Sequence, residues 1–141
     1  MSPYIVDASV AAKWFFNEAY TDAAIRLLDT RHPVHVPDLF FVELDNVVCK
    51  RVRRGEISAA EGRKVRAALR RLPAQAHGLA ALRDPAYEIA LRTGCSLCDG
   101  LYVALAALLK GCVVTADRRL CEALAEGPFS KCILWVEDVP E

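Results

Sequence analysis

Short, continuously apolar runs separated by helical stretches constrain this chain more than any other feature. Tyr4-Ile5-Val6, Val34-His35-Val36, a piece around 75 to 79, Cys112-Val113-Val114 and Cys132-Ile133-Leu134-Trp135-Val136 read as strands. Strands without polar alternation are buried on both faces, which predicts a parallel sheet covered by helices on either side. Between them the spacing predicts helices over about 9–17, 20–31, 38–54, 84–94, 97–110 and 118–126. A basic helix also runs from Ser58 to near Pro73. Gly55, Gly94, Gly111 and Gly127-Pro128 punctuate these elements. Ser58-Ala59-Ala60-Glu61 has the form of a capping box, and Asp84-Pro85 that of an aspartate cap with proline at the first helical position. With 141 residues, no repeat and no linker, the expectation is one domain, residues 1–141, of α/β class.

In such sheets, ligands bind beyond the carboxyl ends of the strands. Two strands deliver an aspartate to that end: Tyr4-Ile5-Val6 runs into Asp7, and Cys112-Val113-Val114 into Thr115-Ala116-Asp117. Two helices carry further acids. Glu43 has Leu39, Phe40, Asn46 and Val47 as helical neighbours and so borders an apolar face, whereas Asp45 points elsewhere and reads as surface. Asp99 follows Ser96-Leu97-Cys98 and fits the first turn of a nearly all-apolar helix. Taken singly, each acid has a structural reading as turn, cap or edge residue. Jointly they suggest a cluster. Two unit charges ~4 Å apart at an effective dielectric of ~20 repel by about 4 kcal/mol. A hard divalent cation removes that cost, and an all-oxygen ligand set suits Mg²⁺ or Mn²⁺ better than zinc.

Charge is zero overall but unevenly spread. Residues 50–71 hold nine basic groups against two acidic ones, so a neutral chain carries one phosphate-attracting segment. The plainer reading is a solvated helical hairpin with cations near its helix ends. The six cysteines are irregularly spaced and mostly sit in apolar runs, where reduced thiols pack as small hydrophobes. Only Cys95-Ser96-Leu97-Cys98 has a motif-like spacing, a weak zinc or redox signal without a second pair. No apolar run approaches the roughly 18 residues that span a bilayer. The start Met1-Ser2-Pro3-Tyr4 lacks a basic segment followed by an apolar one, and the expectation is a cytoplasmic protein with no membrane partner.

Val6-Asp7-Ala8-Ser9, Glu43 on the helix after Val36-Pro37, Asp99-Gly100-Leu101-Tyr102-Val103-Ala104-Leu105-Ala106 and Val114-Thr115-Ala116-Asp117-Arg118-Arg119-Leu120 occur in this order. Together they resemble the PIN-domain nucleases, and within them the VapC-like toxins of toxin–antitoxin pairs. The resemblance covers essentially the whole chain. It implies a three-layer α/β/α sandwich with a parallel sheet of about five strands, and an acidic metal cluster made by Asp7, Glu43, Asp99 and Asp117. Ser9 and Thr115 match the family's usual hydroxyl positions. The implied activity is RNA cleavage with Mg²⁺ or Mn²⁺, with a VapB-like antitoxin and a homodimer as partners. On that reading Lys13, Lys50, Arg51, Arg54, Arg118 and Arg119 contact the RNA backbone. Cys95 and Cys98 depart from the pattern. Two alternatives stay open: a non-catalytic module that keeps the fold for partner contacts, and a phosphoacceptor signalling domain. The second needs a lysine at a late strand's tip, where this chain has Glu137-Asp138.

Overall fold

All five apolar runs form strands, and every strand pair is parallel. The structure is a computed structural model that describes residues 3–28 and 33–140. The strands are β1 (Tyr4–Val6), β2 (Val34–Pro37), β3 (Ala74–His77), β4 (Cys112–Thr115) and β5 (Ile133–Trp135), in the order β3-β2-β1-β4-β5. From β1 the chain builds outward through β2 to β3. It then crosses back to add β4 on the other side of β1. That reversal makes the carboxyl ends of β1 and β4 the switch point of the sheet, where a crevice opens. The register sets Val6 beside Val114, and the Asp7 N–H continues the pairing to the Val114 carbonyl at 3.1 Å. At the other edge, the imidazoles of His35 and His77 meet at 2.9 Å and tie β3 to β2.

The helices are α1 (Ala8–Ala11), α2 (Thr21–Ile25), α3 (Leu39–Arg53), α4 (Ala59–Leu69), α5 (Arg83–Thr93), α6 (Leu97–Leu109) and α7 (Arg118–Leu124). Ile5, Val6, Val113 and Val114 are fully buried at the sheet centre, and α6 is buried from Gly100 through Ala106. Both findings match the apolar patterns of those segments. Gly100 allows α6 to press on α5, because a Cβ there would sit 2.7 Å from the Ala86 carbonyl oxygen. No single helix among the described residues is long and apolar enough to cross a membrane.

Several boundaries differ from the sequence reading. The helix expected over 9–17 is α1 followed by a 3-10 turn, Ala12–Trp14; that expected over 20–31 is α2 followed by a 3-10 turn, Arg26–Leu28, and its last residues lie outside the described ones. Asp84 is not a cap. Helix α5 starts two residues earlier, with buried Leu82 in the cap position and folded back on the Leu79 carbonyl, and Asp84 and Pro85 fall inside the first turn. Proline is tolerated there because its missing N–H has no helical partner to lose. Helix α6 ends on Lys110, itself at φ 57°, rather than on Gly111. Gly111 is needed for a different reason: a Cβ would stand 2.2 Å from the Pro3 carbonyl, where β4 begins beside β1. The Ser58–Glu61 capping box is present in both directions.

Candidate active site

Asp7 leaves β1 at the switch point and is 6% exposed. One of its oxygens, Oδ2, accepts from Ser9 Oγ at 2.8 Å and from Thr115 Oγ1 at 2.7 Å. The same hydroxyls accept backbone N–H groups, Ser9 from Ala116 at 3.2 Å and Thr115 from Asp117 at 3.0 Å. Two short side chains therefore lace the tip of β1 to the tip of β4 through Oδ2 of Asp7, and the Ser9 backbone N–H adds a further bond to the carboxylate. Burial raises the Asp7 carboxyl above its ordinary 3.8; the Thr115 and Ser9 bonds pull it down, and the Asp117 charge pushes it up again.

Asp99 stands in the first turn of α6. Ser96 accepts its backbone N–H at 3.0 Å without the reciprocal bond of a full capping box, so the Asp99 carboxylate is not spent on the Ser96 amide. Burial raises Asp99 too, followed by the charge of Asp7 and, after the opposing Ser96 bond, that of Asp117. Asp117 caps α7 through Oδ1, which accepts from the Arg119 N–H at 2.9 Å. Capping and a place in the pocket coexist, since one carboxylate has two oxygens.

Glu43 comes from α3, whose first turns face the crevice. Burial raises it above its ordinary 4.5, the Tyr102 bond opposes that, and the charges of Asp7 and Asp99 add to the rise. Its Oε1 accepts from the Tyr102 hydroxyl at 2.7 Å. Tyr102 is almost wholly buried; burial first, then the charges of Asp7 and Glu43, keep its phenol protonated and donating. The sequence reading did not assign Tyr102 a role. The signal was there: a hydroxyl on an otherwise apolar helix must find a partner, and it lies one turn past Asp99 on the same face.

The sequence-predicted acids thus meet at one end of the sheet: the charge of Asp7 reaches Glu43 and Asp99, that of Asp99 reaches Glu43, and that of Asp117 reaches Asp7 and Asp99. Among the described residues no three carboxylate, imidazole or thiol groups are drawn together tightly enough to hold an ion as they stand. The donor chemistry is all oxygen and fits a hard divalent cation, with Asp7 and Asp117 following the strands of the switch point and Asp99 in the first turn of α6. Cys98, exposed, and Cys95, half-buried, flank Asp99; burial pushes both thiols up, which disfavours the reactive thiolate.

The expected RNA contacts separate into two groups. Lys50, Arg54, Arg118 and Arg119 are exposed. Lys13 is 8% exposed and paired with Glu18 at 3.4 Å. Arg51 also pairs with Glu18, reaches Glu56 at 3.2 Å and lies 4.2 Å over the Phe16 ring. These last two cations serve the protein's own acids.

Fold and site together define a three-layer α/β protein with an acidic, all-oxygen pocket at the switch point of its sheet. The chain belongs to the PIN domain family, which matches residues 4–125. It is 31% identical over 120 residues to Ribonuclease VapC3 of Pyrobaculum aerophilum, covering 84% of this chain and 92% of that one. It is 34% identical over 118 residues to Ribonuclease VapC9 of Mycobacterium tuberculosis, covering 84% and 88%. The fold matches a crystal structure from Pyrobaculum aerophilum with TM-score 0.69 at 24% identity over 96% of this chain and 85% of that one. It also matches a chain in a toxin–antitoxin complex from Klebsiella pneumoniae with TM-score 0.67 at 14% identity, over 98% and 100%.

Proposed function

We propose that this protein is an Mg²⁺- or Mn²⁺-dependent endoribonuclease and the toxin of a toxin–antitoxin pair. The observation that carries the reading is the pocket itself: Asp7, Glu43, Asp99 and Asp117 coupled by charge at the switch point, with Ser9 and Thr115 fixing Asp7. The ribonuclease names of the curated relatives support it. When bound, the cation supplies a water of lowered pKa and positive charge beside the scissile phosphate.

The chain's own residues prepare that chemistry. Asp7, Asp99 and Asp117 hold the ion. Ser9 and Thr115 occupy one oxygen of Asp7 and so orient the other, a positioning task of the kind ligand-supporting partners perform. Glu43, pinned by Tyr102 through one oxygen, is left with the second to ligate through water or to orient the attacking water. Arg118 and Arg119 begin α7 directly after Asp117. Lys50 and Arg54 lie roughly 10 to 17 Å along α3 from Glu43. These four cations hold phosphates and set affinity rather than sequence choice. The same reading includes a small antitoxin partner and pairing with a second copy of the chain, for which Leu91 and Leu108, 66% and 64% exposed, offer apolar surface.

The test is incubation of mixed RNA with Mg²⁺ or Mn²⁺ against an EDTA control. Fragments are expected only with the metal. No cleavage under any condition, or equal cleavage in EDTA, overturns the reading.

A further inference from the structure

Next to the acids, on the β5 side of the crevice, lies an aromatic group that the carboxylate pocket does not explain. Trp135 ends β5 and pairs in register with Thr115, the residue whose hydroxyl holds Asp7. Three neighbours fix its indole. The Arg118 guanidinium lies 4.2 Å over the ring. The Tyr20 ring meets it edge-on, with centroids 5.2 Å apart and planes at 78°. Its Nε1 donates to Glu137 Oε1 at 3.1 Å. Tyr20 itself is held at φ 67°, a conformation a bulky side chain adopts only under constraint, and the residue is 39% exposed. Its side chain makes no capping bond to α2, which starts at the next residue. A polar cleft of about 340 Å³ opens beside Tyr20, lined also by Asn17, Thr21 and Glu137. Glu18 borders this cleft, and Lys13 and Arg51 neutralise it.

A ring needed only for packing gains by burial, whereas Tyr20 is exposed, as is Arg118, the residue directly after Asp117. Aromatic rings and guanidinium planes at the rim of an RNA site are surfaces on which unpaired bases stack. We propose that Tyr20, Trp135 and Arg118 form a stacking platform for an unpaired nucleobase of the RNA strand, close to the scissile phosphate. The proposal rests on the ribonuclease reading. Trp135 is the fixed core of the platform; Tyr20 and Arg118 present the two open faces. Asn17 and Glu137 stand where the edge of a stacked base is within reach of an amide and a carboxylate. Stacking accepts every base but only when it is out of a duplex, so the platform selects loops and single strands over helices.

The experiment uses a short fluorescein-labelled single-stranded oligoribonucleotide, with Mg²⁺ present, and an Asp99→Asn parent to suppress cleavage. Tyr20→Ala is expected to weaken binding roughly tenfold, and Tyr20→Phe by no more than about twofold. Tyr20→Gly relieves the positive φ and keeps the fold intact while removing the ring, so it must weaken binding as Tyr20→Ala does. Arg118→Lys keeps the charge and loses the plane; it is expected to weaken binding several-fold with an unchanged salt slope. A single abasic nucleotide, moved along the strand, should abolish the Tyr20→Ala effect at one position. The platform is overturned if Tyr20→Ala and Tyr20→Gly bind like the parent, or if their loss is the same at every abasic position. RNA cleavage by the wild-type protein, assayed in parallel, separates the two claims. Metal-dependent cleavage with indifferent ring variants removes the platform alone, whereas absent cleavage removes the ribonuclease reading beneath it.

Discussion

The two most charged regions of this protein are built in opposite ways. At the switch point, acids face one another within reach of each other's charge, partly desolvated and supported by hydroxyls, and burial raises Asp7, Glu43 and Asp99. On the α3–α4 hairpin, bases are spread over an exposed surface. Gly62, where a Cβ would meet Val52 Cγ2 at 2.8 Å, lets the two helices close, and Arg66 is held by a two-pronged bond to Asp45 at 2.7 and 3.2 Å. Concentrated charge costs stability and needs a counter-ion; dispersed charge costs little and collects phosphates over distance. Catalytic effects should therefore follow single residues at the first region, whereas binding effects should be small and divided at the second.

The largest expected effect comes from Asp7→Asn and Asp99→Asn. Each should lower metal-dependent RNA cleavage by more than about 100-fold, since even the residues behind a metal ligand usually contribute ~10–100-fold. Asp99→Asn should also melt at or above the wild type in EDTA, because it removes one of the repelling charges. Circular dichroism melts and a cleavage assay on the same preparations check both. Full activity in both variants breaks the comparison at its stronger side.

Next in size is the response to metal and pH. In the metal-free protein Asp7, Glu43 and Asp99 have folded-state values above their ordinary 3.8, 4.5 and 3.8. The unfolded chain thus releases these protons first as pH rises. Stability falls through the window that begins at those ordinary values and ends at the raised ones, and stays reduced above it. Mn²⁺ binds the ionised carboxylates and should offset the loss at neutral pH. At a hundredfold excess over Kd the gain is about 2.7 kcal/mol. Melting temperatures from pH 4 to 8, in EDTA and in Mn²⁺, should diverge as pH rises; parallel curves contradict the coupled pocket.

Much of this was legible in the sequence, and unevenly so. The apolar runs fixed the parallel strands because burial on both faces leaves no room for alternation. The acids at the tips of β1 and β4 followed from topology alone. What escaped were effects of close approach: Gly111 against Pro3, Leu82 in place of Asp84 at the start of α5, and the burial of Lys13 against Glu18. None of these has a local signature, because each depends on which distant segment arrives alongside. Tyr102 lies between the two cases, with its position on the helix visible and its partner Glu43 brought from α3, a distant segment of the chain.

Tyr102→Phe sharpens the acidic side further. It removes only the hydroxyl that holds Glu43, at a cost of about 1 kcal/mol in stability. Cleavage should drop by roughly 10–100-fold if Glu43 must be held in place. The metal needed for half-maximal activity should rise with it, a change that a purely structural loss of packing does not produce. Unaltered activity with lowered stability would leave Tyr102 as a core residue with a satisfied hydroxyl and nothing more.

The smallest effects belong to the hairpin. Arg54→Ala or Lys50→Ala should leave folding and turnover at saturating RNA unchanged and weaken RNA binding a few-fold at low salt. Each lost phosphate contact should reduce the slope of log affinity against log salt by about 0.7 for a single strand. Arg51→Ala should behave differently, because Arg51 pairs with Glu18 and Glu56. Its loss exposes Glu18 rather than a phosphate site, so stability should fall while the salt slope stays nearly the same. Binding isotherms for the three variants across a salt series decide whether the hairpin acts through the number of its free cations or through particular ones. A loss confined to one residue, as large as that expected at Asp99, would show that the hairpin is a specific site and end the contrast between the two regions.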